Sequence, residues 1–255
     1  MNFVTKFFHA FNPSEPGYVF MWVLMLCAVI CIAITLERLL FLSSRSGKDT
    51  NSFMKKIVDL IEKDNFDEAQ KMCTKAGKMA MAHVAGKVLA TASSGERRIR
   101  NLVDETVLTV IPELEKRTGY LATIGNVATL IGLMGTIYGL ILSFASVGKP
   151  GIDAVEKSTL LASGIATAMN TTFLGLMVAI PAIVLYALFK SKTQQIIDEV
   201  DEHSLTMANK LIEKSYKTAK YNIHASQLKE SVSMHVTGHK IQLYADNKLI
   251  KEINT

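Results

Sequence analysis

The sequence predicts an all-α integral membrane protein with three transmembrane helices and long cytoplasmic helical extensions. Two uncharged runs carry that prediction: from Gly119 to Val147 and from Ser158 to Phe189 there is no Asp, Glu, Lys, Arg or His. Each exceeds the roughly 20 apolar residues that cross a hydrocarbon core ~30 Å thick. A third run, Tyr18 to Leu36, is also free of charge. The placement of basic residues sets the expected orientation. Fourteen of the 28 Lys and Arg lie between Arg45 and Arg117 and ten follow Phe189, against only Lys6, Lys149 and Lys157 in segments that would face the other way. Because cytoplasmic loops hold the excess of Lys and Arg, the amino terminus and 148–157 are expected outside, with 43–118 and the carboxyl tail inside.

The elements follow in order. Residues 1–17 place Phe3, Phe7 and Phe11 on one face of a short amphipathic helix in the outer interface, ended by the Pro13–Gly17 cluster. The first span, 18–42, opens with Tyr18 and Trp22, which suit the interfacial belt. It lacks a basic leader and a small-x-small cleavage site, so it is expected to stay as an anchor. Glu37 and Arg38 form a boundary ion pair, expected to snorkel toward water or to pair with neighbouring helices, with proton transfer as the alternative role. Residues 43–118 turn soluble and helical. Phe53, Ile57, Leu60 and Ile61 make one stripe, and Asn65 with Glu68 resembles a capping box opening Phe66 to Ala76. A further helix covers about Met79 to Ala92, and the next starts near Glu96, with only Pro112 interrupting it before the second span.

The second span is 119–147, a periplasmic hairpin 148–157, and the third span 158–189. That last span continues as a charged helix over 190–221. Its apolar face (Ile196, Ile197, Val200, Leu205, Ala208, Leu211, Ile212) is expected to bundle against 96–118. In 222–255, Ile241, Leu243 and Ala245 alternate with polar neighbours, and Asp246–Asn247 offers a turn before Leu249 and Ile253: a small hairpin or a mobile tail.

Several functions are argued against. Acidic residues are interspersed with basic ones and no basic patch carries aromatics, so nucleic acid is not expected as a partner. Cys27 and Cys31 sit one turn apart and Cys73 stands alone; these read as packing thiols. His235 and His239 are a helical turn apart, but two histidines do not make a metal site, and no metal or cofactor is expected. No GxxxxGK[ST], HExxH or GxSxG is present, so an enzyme is not expected either.

What stands out is polarity inside the spans. Thr129, Thr136 and Ser143 recur at helical spacing in the second; Ser163, Thr167, Asn170, Thr171 and Thr172 crowd the third. Hydroxyls facing lipid gain nothing, whereas hydroxyls facing helices or a wet path are paired. Two readings stay open. The polar groups either only join helices, or they line a path through Thr136, Thr172, Thr171, Asn170, Thr167 and Ser163. Glycine costs ~1 kcal/mol in a helix, so its density here needs a close approach. Gly132, Gly139, Ala168, Gly175 and Ala179 are expected to face a partner helix that turns against them.

Ala122–Thr123–Ile124–Gly125, Gly132–Leu133–Met134–Gly135–Thr136–Ile137–Tyr138–Gly139 and Thr172–Phe173–Leu174–Gly175–Leu176–Met177–Val178–Ala179–Ile180–Pro181–Ala182 resemble the MotA/TolQ/ExbB proton-channel family, nearest its ExbB/TolQ branch. The Glu37–Arg38 pair and the three-span layout are similar to it as well, and the resemblance runs from about Tyr18 to Lys192. It implies a homopentamer in a bacterial inner membrane around two single-span helices of the ExbD/TolR type. Proton flow would drive motion of one against the other, for nutrient import or envelope maintenance, with a TonB-like periplasm-spanning protein as a further partner. The resemblance puts Thr136 and Thr172 at the family's paired threonines facing the inner channel. A flagellar- or gliding-type motility stator is the alternative, though the flagellar branch typically has four spans. A structural scaffold without proton conduction is another. One departure matters: many members carry a glutamate five residues before the second threonine, and here Thr167 stands there. Hydroxyl groups orient water but do not hold a proton at neutral pH, so a carboxylate is expected from an Asp in the partner's span.

Overall fold

The structure is a computed structural model. It describes residues 7–13, 15–47, 49–92, 95–148, 151, 153–226, 232–237, 240–245 and 248–254, with side chains described through Lys214. After a helical turn at 7–9, the elements are α1 (Tyr18–Arg45), α2 (Thr50–Glu62), α3 (Phe66–Lys75), α4 (Ala80–Leu89), α5 (Glu96–Glu115), α6 (Thr118–Val147), α7 (Ala154–Ser226), β1 (Val232–Thr237), β2 (Lys240–Ala245) and β3 (Lys248–Asn254). Three stretches, containing α1, α6 and α7, are long and apolar enough to cross a membrane. At 1.5 Å per residue the 73 residues of α7 measure ~110 Å, far more than a bilayer, so the helix leaves the apolar zone without a break.

Beyond the spans, α2–α5 wrap the polar half of α7. Ile57, Ile61, Cys73, Val84, Val88, Ile99, Val103 and Leu114 bury together with Ile196, Val200, Met207, Ala208 and Leu211. Leu205 departs from the expected face, being 55% exposed, while Met207 is fully buried in its stead. Positions 200, 204, 207, 208 and 211 follow the helical stripe, and 205 lies about 100° from 204. The Asn65–Glu68 pair also differs from expectation. Asn65 Nδ2 donates to Glu68 Oε2 at 2.6 Å, and the Asn65 side chain makes no capping bond to the backbone. Side chains cap the starts of α2, where the Ser52 N–H donates to Asp49 Oδ1 at 2.9 Å, and of α7, where the Glu156 N–H donates to Asp153 Oδ1 at 2.7 Å.

Burial in this core pushes the Cys73 thiol up to about 11. Only roughly one thiol in a thousand is then ionised at pH 8, and the thiolate is the reactive form. Alkylation of Cys73 in the folded chain is expected to run more than about a hundredfold slower than in the unfolded chain. Mass-resolved iodoacetamide labelling checks this.

The junction between α5 and α6 corrects one expectation, and at it Arg38 takes the second of the two courses expected for it, pairing with a neighbouring helix. Pro112 lies inside α5 without ending it; the break comes at Lys116 and Arg117, where Arg117 takes φ 66. Such a left-handed residue costs a non-glycine about 1–2 kcal/mol and needs support from its surroundings. Support comes from α1. Arg38 does not snorkel: it is 2% exposed, and its Nη1 donates to the Leu114 carbonyl at 3.3 Å. Its Nε and Nη2 donate to the two Glu37 carboxylate oxygens at 3.1 and 3.2 Å, and its guanidinium lies 4.7 Å from the Phe41 ring centre. Arg117 Nη1 also reaches Glu37 Oε1, at 3.4 Å. Arg38→Met leaves the Leu114 carbonyl buried without a donor, a loss of about 1–3 kcal/mol. Arg38→Lys should restore only part of it, because an ammonium lacks the planar fork. Denaturant titration in detergent measures the order wild type, Lys, Met.

At the opposite end the amino-terminal aromatics fold back on the spans. Phe7 packs edge-on against Phe173 of α7 with ring centres 5.8 Å apart, and Phe11 against Trp22 at 5.9 Å. Trp22 Nε1 donates to the Phe11 carbonyl at 3.1 Å, and Phe8 is left 65% exposed. Phe3 and the rest of 1–6 lie outside the described residues. At the carboxyl end β2 and β3 pair antiparallel as the alternation predicts, and β1 adds a third strand in the order β1-β2-β3. Asp246, Asn247 and His239 lie outside the described residues.

Candidate ion-path face

The α6–α7 seam is built on glycine. A Cβ at Gly132 would sit 3.2 Å from the Thr171 carbonyl oxygen and 3.3 Å from Gly175 Cα. At Gly139 it would sit 2.9 Å from the Gly164 carbonyl oxygen and 3.1 Å from Ala168 N; at Gly175, 2.8 Å from the Ala128 carbonyl oxygen. Ala179 is 2% exposed, and its carbonyl lies 3.3 Å from where a Gly125 Cβ would be. Gly132 with Gly175, Gly139 with Ala168, and Ala179 with Gly125 therefore meet inside the subunit, not against a second chain's helix. A small-residue stripe specifies close approach without naming the occupant. The neighbouring span, only a short hairpin away, takes the place first.

The polar stripe divides in three. Thr171 is 1% exposed beneath Gly135, and its Oγ1 donates back to the Ala168 carbonyl at 3.0 Å and the Thr167 carbonyl at 3.3 Å. Thr167 is 7% exposed, donates to the Ser163 carbonyl at 3.1 Å, and lies against Gly17, where a Cβ would come within 2.8 Å of its methyl. Both are sealed within the subunit, so neither borders an open path in it.

The rest lie on two opposite edges of α7. At 100° per residue, Thr172 stands about 180° from Ser163 and about 160° from Asn170 around the helix. The Ser163–Asn170 edge adjoins α1, because Leu174 and Val178 on that side pack with Met21 and Leu24. Thr172 lies on the other edge, where its Oγ1 donates across the seam to the Gly132 carbonyl at 3.4 Å. On α6, Tyr138 meets Phe20 of α1 with ring centres 5.4 Å apart. Thr136 lies about 160° from Tyr138, and Thr129 is within about 20° of Thr136. Thr136 is half-buried, and its Oγ1 donates to the Leu133 carbonyl at 2.6 Å.

Thr136 and Thr172 thus share the seam edge turned away from α1, about one turn apart, and Thr129 extends that line one turn deeper. Their hydroxyls are held by backbone carbonyls, leaving oxygen lone pairs as acceptors along an otherwise apolar edge. Neither of these two spans holds a titratable group other than tyrosine. A charged cluster of Glu37, Arg38 and Arg117 sits at the α5–α6 junction. Among the described residues no group of three or more His, Cys, Asp and Glu is placed to hold a metal.

Known proteins agree with this architecture. Residues 65–202 match the MotA/TolQ/ExbB proton channel family. The biopolymer transport protein ExbB of Pseudomonas putida is 32% identical over 141 residues, covering 52% of this chain and 42% of that protein. The putative biopolymer transport protein ExbB-like 2 of Helicobacter pylori is 42% identical over 89 residues, covering 34% and 57%. The Tol-Pal system protein TolQ of Pseudomonas aeruginosa is 37% identical over 87 residues, covering 33% and 36%. The chain matches about half the length of the first of these relatives. A solved structure of C. jejuni MotAB has the same fold at a TM-score of 0.53, with 14% identity over 82% of this chain and 80% of that one. With a match across more than half its length and three helices long and apolar enough to cross a bilayer, the chain belongs to the MotA/TolQ/ExbB proton channel family.

Proposed function

We propose that this chain is the proton-channel subunit of an energy-transducing complex in a bacterial inner membrane. The observation that carries the reading is the shared position of Thr136 and Thr172 on the one seam edge that α1 leaves uncovered. Copies of the chain, five by analogy with the family, enclose a central space with this edge turned inward. A single-span dimer of the ExbD/TolR type occupies that space and supplies an Asp carboxylate. The threonine oxygens hold the water and the proton beside that carboxylate. Protonation removes its charge and frees the partner helix to pass the adjoining apolar stretch. The membrane potential supplies about 2.3 kcal/mol per charge per 100 mV for each step.

Because the small residues lock α6 to α7, each subunit moves as a rigid stave, and the partner slides on the threonine edge, not on a glycine track. The amino terminus faces the periplasm and α2–α5 face the cytoplasm. The relatives' names, biopolymer transport and Tol-Pal, support work done at the outer membrane, such as nutrient import or envelope maintenance through a TonB-like protein. The chain acts as a transducer, not as an enzyme.

Proteoliposomes with a pH-sensitive dye and a potassium diffusion potential test this. The chain alone should be silent, and the chain with its single-span partner should conduct. Equal flux from the chain alone, or a silent complex, would overturn the reading.

A further inference from the structure

At the end of the α6–α7 seam nearest α5 lies a pocket of about 130 Å³, with Glu115, Thr118, Tyr186, Lys190 and Thr193 among its walls. Two of its wall residues carry fully buried hydroxyls. Thr118 is 5% exposed and Thr193 4% exposed, and neither Oγ1 has a hydrogen-bond partner among the described residues. Leaving a buried polar group unpaired is costly, and in folded proteins such groups are met by ordered water. At ~30 Å³ per molecule, the space takes about four waters.

The pocket's place in the fold is as telling as its lining. Thr118 precedes Thr136 by 18 residues on α6, and Lys190 follows Thr172 by 18 residues on α7. Eighteen residues are five turns, so each pair stands in line on one helix face, ~27 Å apart. Thr118 and Lys190 therefore mark the lower end of the edge that carries the threonine pair, with Thr193 about 60° around α7 from that line. At the pocket rim stands Glu115, in the last turn of α5, with the Lys190 ammonium 5.9 Å from the Tyr186 ring centre on the α7 side. Glu115 is the one carboxyl group among the residues lining this pocket.

We propose that this pocket is the cytoplasmic mouth of the ion path, a water-holding site whose proton acceptor is Glu115. Water bound to the Thr118 and Thr193 hydroxyls takes up the proton leaving the threonine pair. One O–H bond of the hydrated proton breaks and one forms on the Glu115 carboxylate. The carboxyl group then loses that proton to cytoplasmic water and returns to its starting state, with no change of oxidation state. The proposal rests on the channel reading and names where that channel opens.

The test uses the chain reconstituted with its single-span partner. Glu115→Gln should lower proton flux at least tenfold, and Glu115→Asp should restore most of it. The double variant Thr118→Val/Thr193→Val separates a water site from a packing site. Removing unpaired hydroxyls should leave thermal stability unchanged or higher, yet lower flux at least tenfold. Flux at the wild-type rate in either Glu115→Gln or the double valine variant overturns the proposal. A wild-type complex that does not conduct brings down the channel reading instead, so the two failures are distinguishable.

Discussion

Thr172→Val is expected to leave the complex folded and assembled while cutting its proton flux by about 10–150-fold. Valine keeps the shape of threonine and removes one oxygen. Within the subunit the loss is small, because the bond from Thr172 to the Gly132 carbonyl is long at 3.4 Å. The larger loss falls on the partner's charged group, where a hydrogen bond is worth about 1.5–3 kcal/mol and each 1.4 kcal/mol is tenfold. Thr136→Val should behave alike. Thr171→Val supplies the contrast, since its hydroxyl is turned into its own helix and is 1% exposed. It should alter stability slightly and flux hardly at all. Dye-reported flux beside size-exclusion profiles of the three variants measures both sides of the comparison.

Gly175→Val is expected to abolish the folded subunit. The first added carbon would meet the Ala128 carbonyl oxygen at 2.8 Å and Gly132 Cα at 3.0 Å, both backbone atoms that cannot swing aside. Overpacking by a methylene already costs about 1–3 kcal/mol in a close-packed core, and here three carbons enter a helix–helix contact. The seam must open, and with it go the neighbouring contacts at Gly139 and Gly164 that depend on the same spacing. Gly95→Ser is the control. Nothing lies within 4 Å of its added carbon, and serine suits the first cap of α5. Fluorescence-detected gel filtration should show wild-type yield for Gly95→Ser and no monodisperse peak for Gly175→Val.

The spans were readable from the chain because an uncharged run of that length has one physical home, and the helix continuing past Phe189 was readable from its unbroken apolar stripe. What escaped depends on residues far apart in sequence. Arg38 beside Glu37 reads as a local pair, and nothing nearby tells that its third bond goes to Leu114 on α5. The left-handed turn at Arg117 is unsignalled because arginine has no preference for that conformation. Pro112 drew attention and did not matter. Strand β1 was present as the alternation of Val232, Met234 and Val236, but only its pairing with Leu243 and Ile241 gives that pattern a use.

The polar site was legible as a set of residues and not as a geometry. Thr136 and Thr172 share one seam edge. Thr167 and Thr171 turn inward, and Ser163 and Asn170 take the opposite edge. That division follows from where α1 packs, which no spacing within α6 or α7 encodes. The same holds for the small residues. Their periodicity demanded a close neighbour, and the neighbour is the adjacent span.

The central claim is that the seam edge bearing Thr136 and Thr172, and no other face, meets an acidic helix from a second chain. With the native cysteines Cys27, Cys31 and Cys73 replaced by alanine, single cysteines at 136, 172, 163 and 171 can be paired with a cysteine at the partner's membrane Asp and oxidised in intact membranes. The account predicts disulfide-linked heterodimers from positions 136 and 172 and none from 163 or 171. Cross-links from position 163, on the edge beside α1, with none from 136 or 172, would contradict it.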